Sequence, residues 1–79
     1  MTAKGYREAL FEVHDAILRG RGRFALGVLP DTGKVGLTVG SANMIRVKGG
    51  FLISIALDED HIRELRESCD AALAALGAS

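Results

Sequence analysis

The chain has 79 residues but only one cysteine, one proline, one tyrosine and three phenylalanines, with no tryptophan and no net charge. Each scarcity excludes something. A lone cysteine, Cys69, leaves no internal disulfide, and without a His/Cys cluster no structural zinc site is expected. A domain this small buries a modest fraction of its surface, so good packing and self-association are the stabilising devices left to it. No stretch approaches the ~20 apolar residues of a membrane span. Glu8, Glu12 and Asp15 interrupt any apolar core near the N-terminus, so the layout of a secretory signal is missing and cytoplasmic residence is expected. With 48% hydrophobic and 25% charged residues, the chain reads as one compact globular domain over residues 1–79.

The missing net charge conceals an uneven distribution. Residues 1–18 sum to −1, from Lys4 and Arg7 against Glu8, Glu12 and Asp15. Residues 19–57 sum to +5, with Arg19, Arg21, Arg23, Lys34, Arg46 and Lys48 against Asp31 alone. Residues 58–79 sum to −4, with Arg63 and Arg66 against six carboxylates. A partner within a Debye length, about 8–10 Å at physiological salt, feels these local fields rather than the total.

Hydrophobic periodicity divides the chain into elements. From Gly5 to Arg19, the residues Tyr6, Leu10, Val13 and Ile17 recur at three- and four-residue steps, with Phe11 and Leu18 widening the stripe, and predict a helix, which Gly20 and Gly22 end. The period then drops to two. Phe24, Leu26 and Val28 alternate with Ala25 and Gly27, and Val35, Leu37 and Val39 alternate with Gly36, Thr38 and Gly40. Pro30-Asp31-Thr32-Gly33 joins these two strands as a turn. Ser41-Ala42-Asn43 turns the chain again into a third strand at Ile45 and Val47, and Gly49-Gly50 reads as a hairpin into a fourth from Phe51 to Leu57. Asp58 sits at an N-cap position ahead of a last helix with an apolar stripe at Ile62, Leu65, Cys69, Ala72, Leu73 and Leu76, ended by Gly77.

The expected fold is therefore α+β, a four-stranded antiparallel meander in the order α-β-β-β-β-α. One face of the sheet carries the large side chains, including Phe24, Leu26, Val28, Leu37, Ile53 and Ile55. Both helices are expected to cover it. The other face carries Ala25, Gly27, Lys34, Gly36, Thr38, Gly40, Arg46 and Lys48 and is expected to stay open, either solvated or as a flat docking surface.

Few motifs carry chemistry. Arg19-Gly20-Arg21-Gly22-Arg23 places three guanidiniums on a glycine-rich loop, suited both to clamping phosphates or carboxylates and to ending a helix. A phosphate-loop reading of Gly27 to Lys34 fails, because the glycine spacing is wrong, Val35 replaces the magnesium-binding hydroxyl and a strand follows. His14 and His61 lack metal-ligand spacing, and Cys69 falls on an apolar stripe, where cysteine is usually a small core hydrophobe. Neither a catalytic constellation nor a cofactor is indicated, so no enzyme is expected.

Strands carrying "GRFALGVL" and "GKVGLTV", followed by "ISIALDEDHIREL", resemble the positive-cofactor and Whirly group of single-stranded-DNA binders over about residues 23–76. That resemblance implies a dimer with a curved sheet and a capped pairing helix. The expected outer face has no aromatic residue, whereas base stacking is worth ~1–3 kcal/mol per base in such proteins. In size, patterned charge and missing catalytic chemistry the chain also resembles small phage-encoded inhibitors of the anti-CRISPR type. That resemblance implies a non-enzymatic inhibitor blocking a nucleic-acid-handling protein complex, such as a CRISPR effector, in the host cytoplasm. The expected contact is Arg19, Arg21, Arg23, Lys34, Arg46 and Lys48, and a homodimer is compatible with it. The alternative is a dimeric single-stranded nucleic-acid-binding protein or transcription cofactor.

Overall fold

A computed structural model describes residues 3–42 and 50–78. Helix α1 (Tyr6–Leu18) is followed by strands β1 (Arg23–Leu29), β2 (Lys34–Ser41) and β3 (Phe51–Leu57), and by helix α2 (Glu59–Ala75). The sheet is antiparallel with order β1-β2-β3. Arg23 pairs with Gly40 and Leu29 with Lys34 across the first seam, and Val35 with Leu57 and Ser41 with Phe51 across the second.

The fold is α+β, but the expected four strands are corrected to three among the described residues, in the order α-β-β-β-α. A strand has two edges, and those of β2 are taken by β1 and β3, so no strand stands between β2 and β3. The strand expected at Ile45 and Val47 lies outside the described residues, as does Gly49 of the expected hairpin.

Period-two alternation sorted the side chains correctly. Residues 24, 26, 28, 35, 37, 39, 53, 55 and 57 share one face by register, and residues 25, 27, 36, 38, 40, 52, 54 and 56 the other. Which face is covered differs from expectation. The helix α1 packs on the small-residue face, over β1 and β2, where Ala9, Val13, Ala16 and Ile17 bury against Ala25. A side chain on that face would obstruct the helix: a Cβ at Gly27 would lie 2.5 Å from Tyr6 Cα, and one at Gly40 would lie 2.5 Å from Ile17 Cδ1. Helix and sheet backbones thus approach more closely than large side chains permit. The buried Thr38 shares a 2.9 Å hydroxyl hydrogen bond with Ser54, its cross-strand partner, so this layer leaves no polar side-chain atom unsatisfied.

The helix α2 lies on the opposite, large-residue side, so the expectation that both helices cover one face is also corrected. None of its residues is buried, and Ile62 and Leu65 are half-buried at best. Phe24, Leu26, Val28, Val39, Ile53 and Ile55 all remain exposed. Between α2 and the sheet runs an open apolar groove of about 590 Å³, lined by Phe24, Leu26, Leu37, Val39, Ile62, Leu65, Arg66 and Cys69. Cys69 is exposed there rather than a core residue.

The ends of the elements follow the sequence closely. Asp58 caps α2 by accepting from the His61 backbone N–H at 2.9 Å, as its position predicts. In the β1–β2 turn the backbone is held by Thr32 instead of Asp31: its hydroxyl donates to the Leu29 carbonyl and accepts from the Lys34 N–H. At the start of the chain the Val28 N–H donates to the Lys4 carbonyl at 2.9 Å, which seats the entry to α1 beside β1. Among the described residues, no helix is long and apolar enough to cross a membrane.

Candidate functional site: an arginine cleft at the end of α1

The loop from Arg19 to Arg23 is tied down by its backbone. The Gly20 N–H donates to the Ile17 carbonyl and the Arg21 N–H to the Ala16 carbonyl, with Gly20 at φ +75°, the pattern of a Schellman cap. The glycine is needed because a side chain strains that backbone conformation. The capping role and the display of arginines are therefore compatible: the motif that ends the helix also fixes where the guanidiniums emerge.

Carboxylates of α1 hold two of the three arginines. Arg19 Nε lies 3.0 Å from the Asp15 carboxylate, one turn back, and Arg23 reaches Glu12 at 3.4 Å. Glu12 also accepts from Lys4 Nζ at 2.6 Å. That hydrogen bond, with the nearby charges of Lys4 and Arg23, lowers the Glu12 pKa below its usual 4.5 despite some desolvation. Arg21 has no ion-pair partner among the described residues and is exposed. Together Glu12, Asp15, Ala16, Arg19, Arg21, Gly22 and Arg23 line a cleft of about 430 Å³ that carries both signs of charge.

The structure brings Arg19, Arg21 and Arg23 together, but not Lys34. Lys34 pairs with Leu29, six register steps from Arg23, or about 20 Å at ~3.4 Å per residue. It sits instead near the Asp58 cap of α2, whose pKa it helps to lower. The main cause of that shift is the His61 backbone hydrogen bond, opposed by some desolvation and assisted by the His61 ring 3.1 Å away. Arg46 and Lys48 lie outside the described residues. The expectation had omitted Glu12 and Asp15. The Asp15–Arg19 spacing of four was a readable signal, whereas the Glu12–Arg23 contact exists only once β1 folds back beside α1.

The arrangement has the parts of a recognition surface. Two of the three guanidiniums, those of Arg19 and Arg23, are held in place by carboxylates, which lowers the entropy they lose on binding a carboxylate bidentately. Among the described residues, no three His, Cys, Asp or Glu side chains gather as metal ligands. Set against protein-family models, curated proteins and solved structures, the chain matches none of them.

Proposed function

We propose that this chain is a non-enzymatic binding protein that acts stoichiometrically on a protein subunit of a nucleic-acid-handling complex, as a small phage-encoded inhibitor of the anti-CRISPR type would. The supporting observation is the mixed charge of the arginine cleft. Glu12 and Asp15 stand among the arginines, and Glu12 is a carboxylate at neutral pH, its pKa lying below an ordinary value that is itself well under 7. A phosphate backbone approaching Arg19 and Arg23 meets two carboxylates that repel it. A protein surface with acidic and basic side chains can satisfy both signs. Arg21 provides a guanidinium with no ion-pair partner among the described residues, and Arg19 and Arg23 keep donors beyond those facing Asp15 and Glu12. The reading carries with it a cytoplasmic location beside the target.

The test is inhibition of DNA cleavage by purified CRISPR effector complexes, titrated with the intact chain. Inhibition complete near one chain per effector, and abolished by reversing Arg19, Arg21 and Arg23 to Glu, is the expected outcome. Inhibition undiminished by the triple reversal removes the cleft from the contact. Single-stranded DNA binding that weakens steeply with salt, without effector inhibition, would favour the nucleic-acid-binding alternative.

A further inference from the structure

The large-residue side of the sheet is unfinished as a core. The described face is almost wholly aliphatic and aromatic, yet Phe24 is 67% exposed. Beyond the groove, α2 continues to Leu73 and Leu76, exposed at 48% and 80%. The molecule therefore carries both an open apolar groove and an apolar helix end that its own sheet does not cover.

The size of the deficit can be stated. The chain exposes 6285 Å², whereas a compact monomer of 8.4 kDa exposes about 4,600 Å². Its radius of gyration is 14.0 Å, against about 11.6 Å for a compact domain of this length. The surplus of about 1,700 Å², summed over the whole chain and not over this face alone, is of the order that each subunit of an obligate homodimer buries, about 1,000–2,500 Å². The lining fits the same class: among the described residues Arg66 is the one charged side chain in the groove, and apolar cores with few charges distinguish homodimer seams from transient ones.

We infer that this face is a homodimer seam, in which the second copy lays the Leu73–Leu76 end of its α2 against the open sheet and groove of the first. A two-fold arrangement satisfies both chains at once, because groove and helix end belong to the same surface and each copy supplies what the other lacks. The seam closes at two, so the apolar face is covered in both copies. It also supplies the stabilisation that a small chain without an internal disulfide must find elsewhere. The arginine cleft belongs to the α1–β1 junction rather than to this groove, so the seam stands or falls independently of the proposed function.

Sedimentation of the intact chain at micromolar concentration tests the seam. The expected mass is twice 8.4 kDa, and a chain that sediments as a monomer overturns the proposal. Cys69, which lines the groove, reports the location without any substitution. Its alkylation in the dimer is expected to be slower than in the denatured chain by about tenfold or more. A dimer in which Cys69 reacts as fast as the denatured thiol places the seam elsewhere. Leu73→Glu and Ile53→Glu are expected to give monomers that keep their helical circular dichroism. Phe11→Glu, on the outer side of α1 beside Leu10, His14 and Leu52, is expected to leave the dimer intact. A dimer broken by Phe11→Glu but not by Leu73→Glu also overturns the proposal.

Discussion

The two sides of the sheet use opposite packing strategies. On the α1 side, alanine, glycine and threonine of the sheet make room for Tyr6, Val13 and Ile17 of the helix, and the two layers close until a methyl added at Gly27, Gly36 or Gly40 has no room. On the α2 side, phenylalanine, leucine, valine and isoleucine face a longer helix that stands off, and a groove of about 590 Å³ remains. Side-chain size alone is therefore a poor guide to which face a chain buries within itself. Small residues permit close backbone approach and a finished layer. Large ones need a partner surface of matching shape, and here α2 does not supply enough of it.

Substitutions that enlarge the α1 side should have the largest effect. Gly27→Ala drives a Cβ into the Tyr6 backbone, which cannot turn aside, and a thermal melt should show a loss of about 3 kcal/mol. Gly40→Ala meets the Ile17 tip at 2.5 Å and buried Val13 Cγ1 at 2.7 Å, side chains rather than backbone, so a smaller loss of about 1–2 kcal/mol is expected. Equal losses would mean that the helix slides as a unit and that close backbone contact is not what holds this side. Thr38→Val removes the hydroxyl pair with Ser54 from the same layer. Since exposed Ser54 can turn to water, denaturant unfolding should register about 1 kcal/mol.

The α2 side should respond differently. Leu76→Ser, at a site exposed within its own chain, should move the unfolding midpoint of the isolated monomer by less than about 0.5 kcal/mol. Read at concentrations where the chain is dimeric, the same substitution should lower the melting temperature. An equal response at both concentrations would contradict the contrast between an intrachain layer and an interchain one.

The smallest effect expected is on pH dependence. The carboxyls of Glu12 and Asp58 both have folded pKa values below their usual 4.5 and 3.8. Their stabilising contribution is fully present above those usual values and is lost as pH falls through the lowered ones. Acid unfolding followed by circular dichroism should therefore steepen below about pH 4. Lys4→Met, which removes the main partner of Glu12, should flatten that limb, and an unchanged limb would show that the Lys4–Glu12 bond contributes nothing in solution.

Much of this was legible in the chain. The strand alternation assigned every described side chain to its face, because residues two apart must share one. Asp58, Gly20 and Gly77 marked helix ends, because capping is a local matter of backbone hydrogen bonds. The arginine loop was visible as a motif, and Asp15 was within reach of its spacing. Three things were not legible. Val13 and Ile17 of the expected stripe are buried, but Phe11 and Leu18 are exposed, and Ala9 and Ala16 are buried in addition. The approach of Glu12 to Arg23 spans eleven residues and two elements. And Lys34 appeared to belong with the arginines until the length of a strand separated them.

The sequence by itself determined periods, caps and the sorting of charge, since each depends on neighbours within a few positions. Only the tertiary structure decided which face of the sheet is closed, how many strands share it and which carboxylates attend the arginines. Those outcomes depend on how closely two surfaces can approach, a property that neither surface has alone. For this chain, the small-residue face is the one that forms the intrachain core, and the large-residue face is left open.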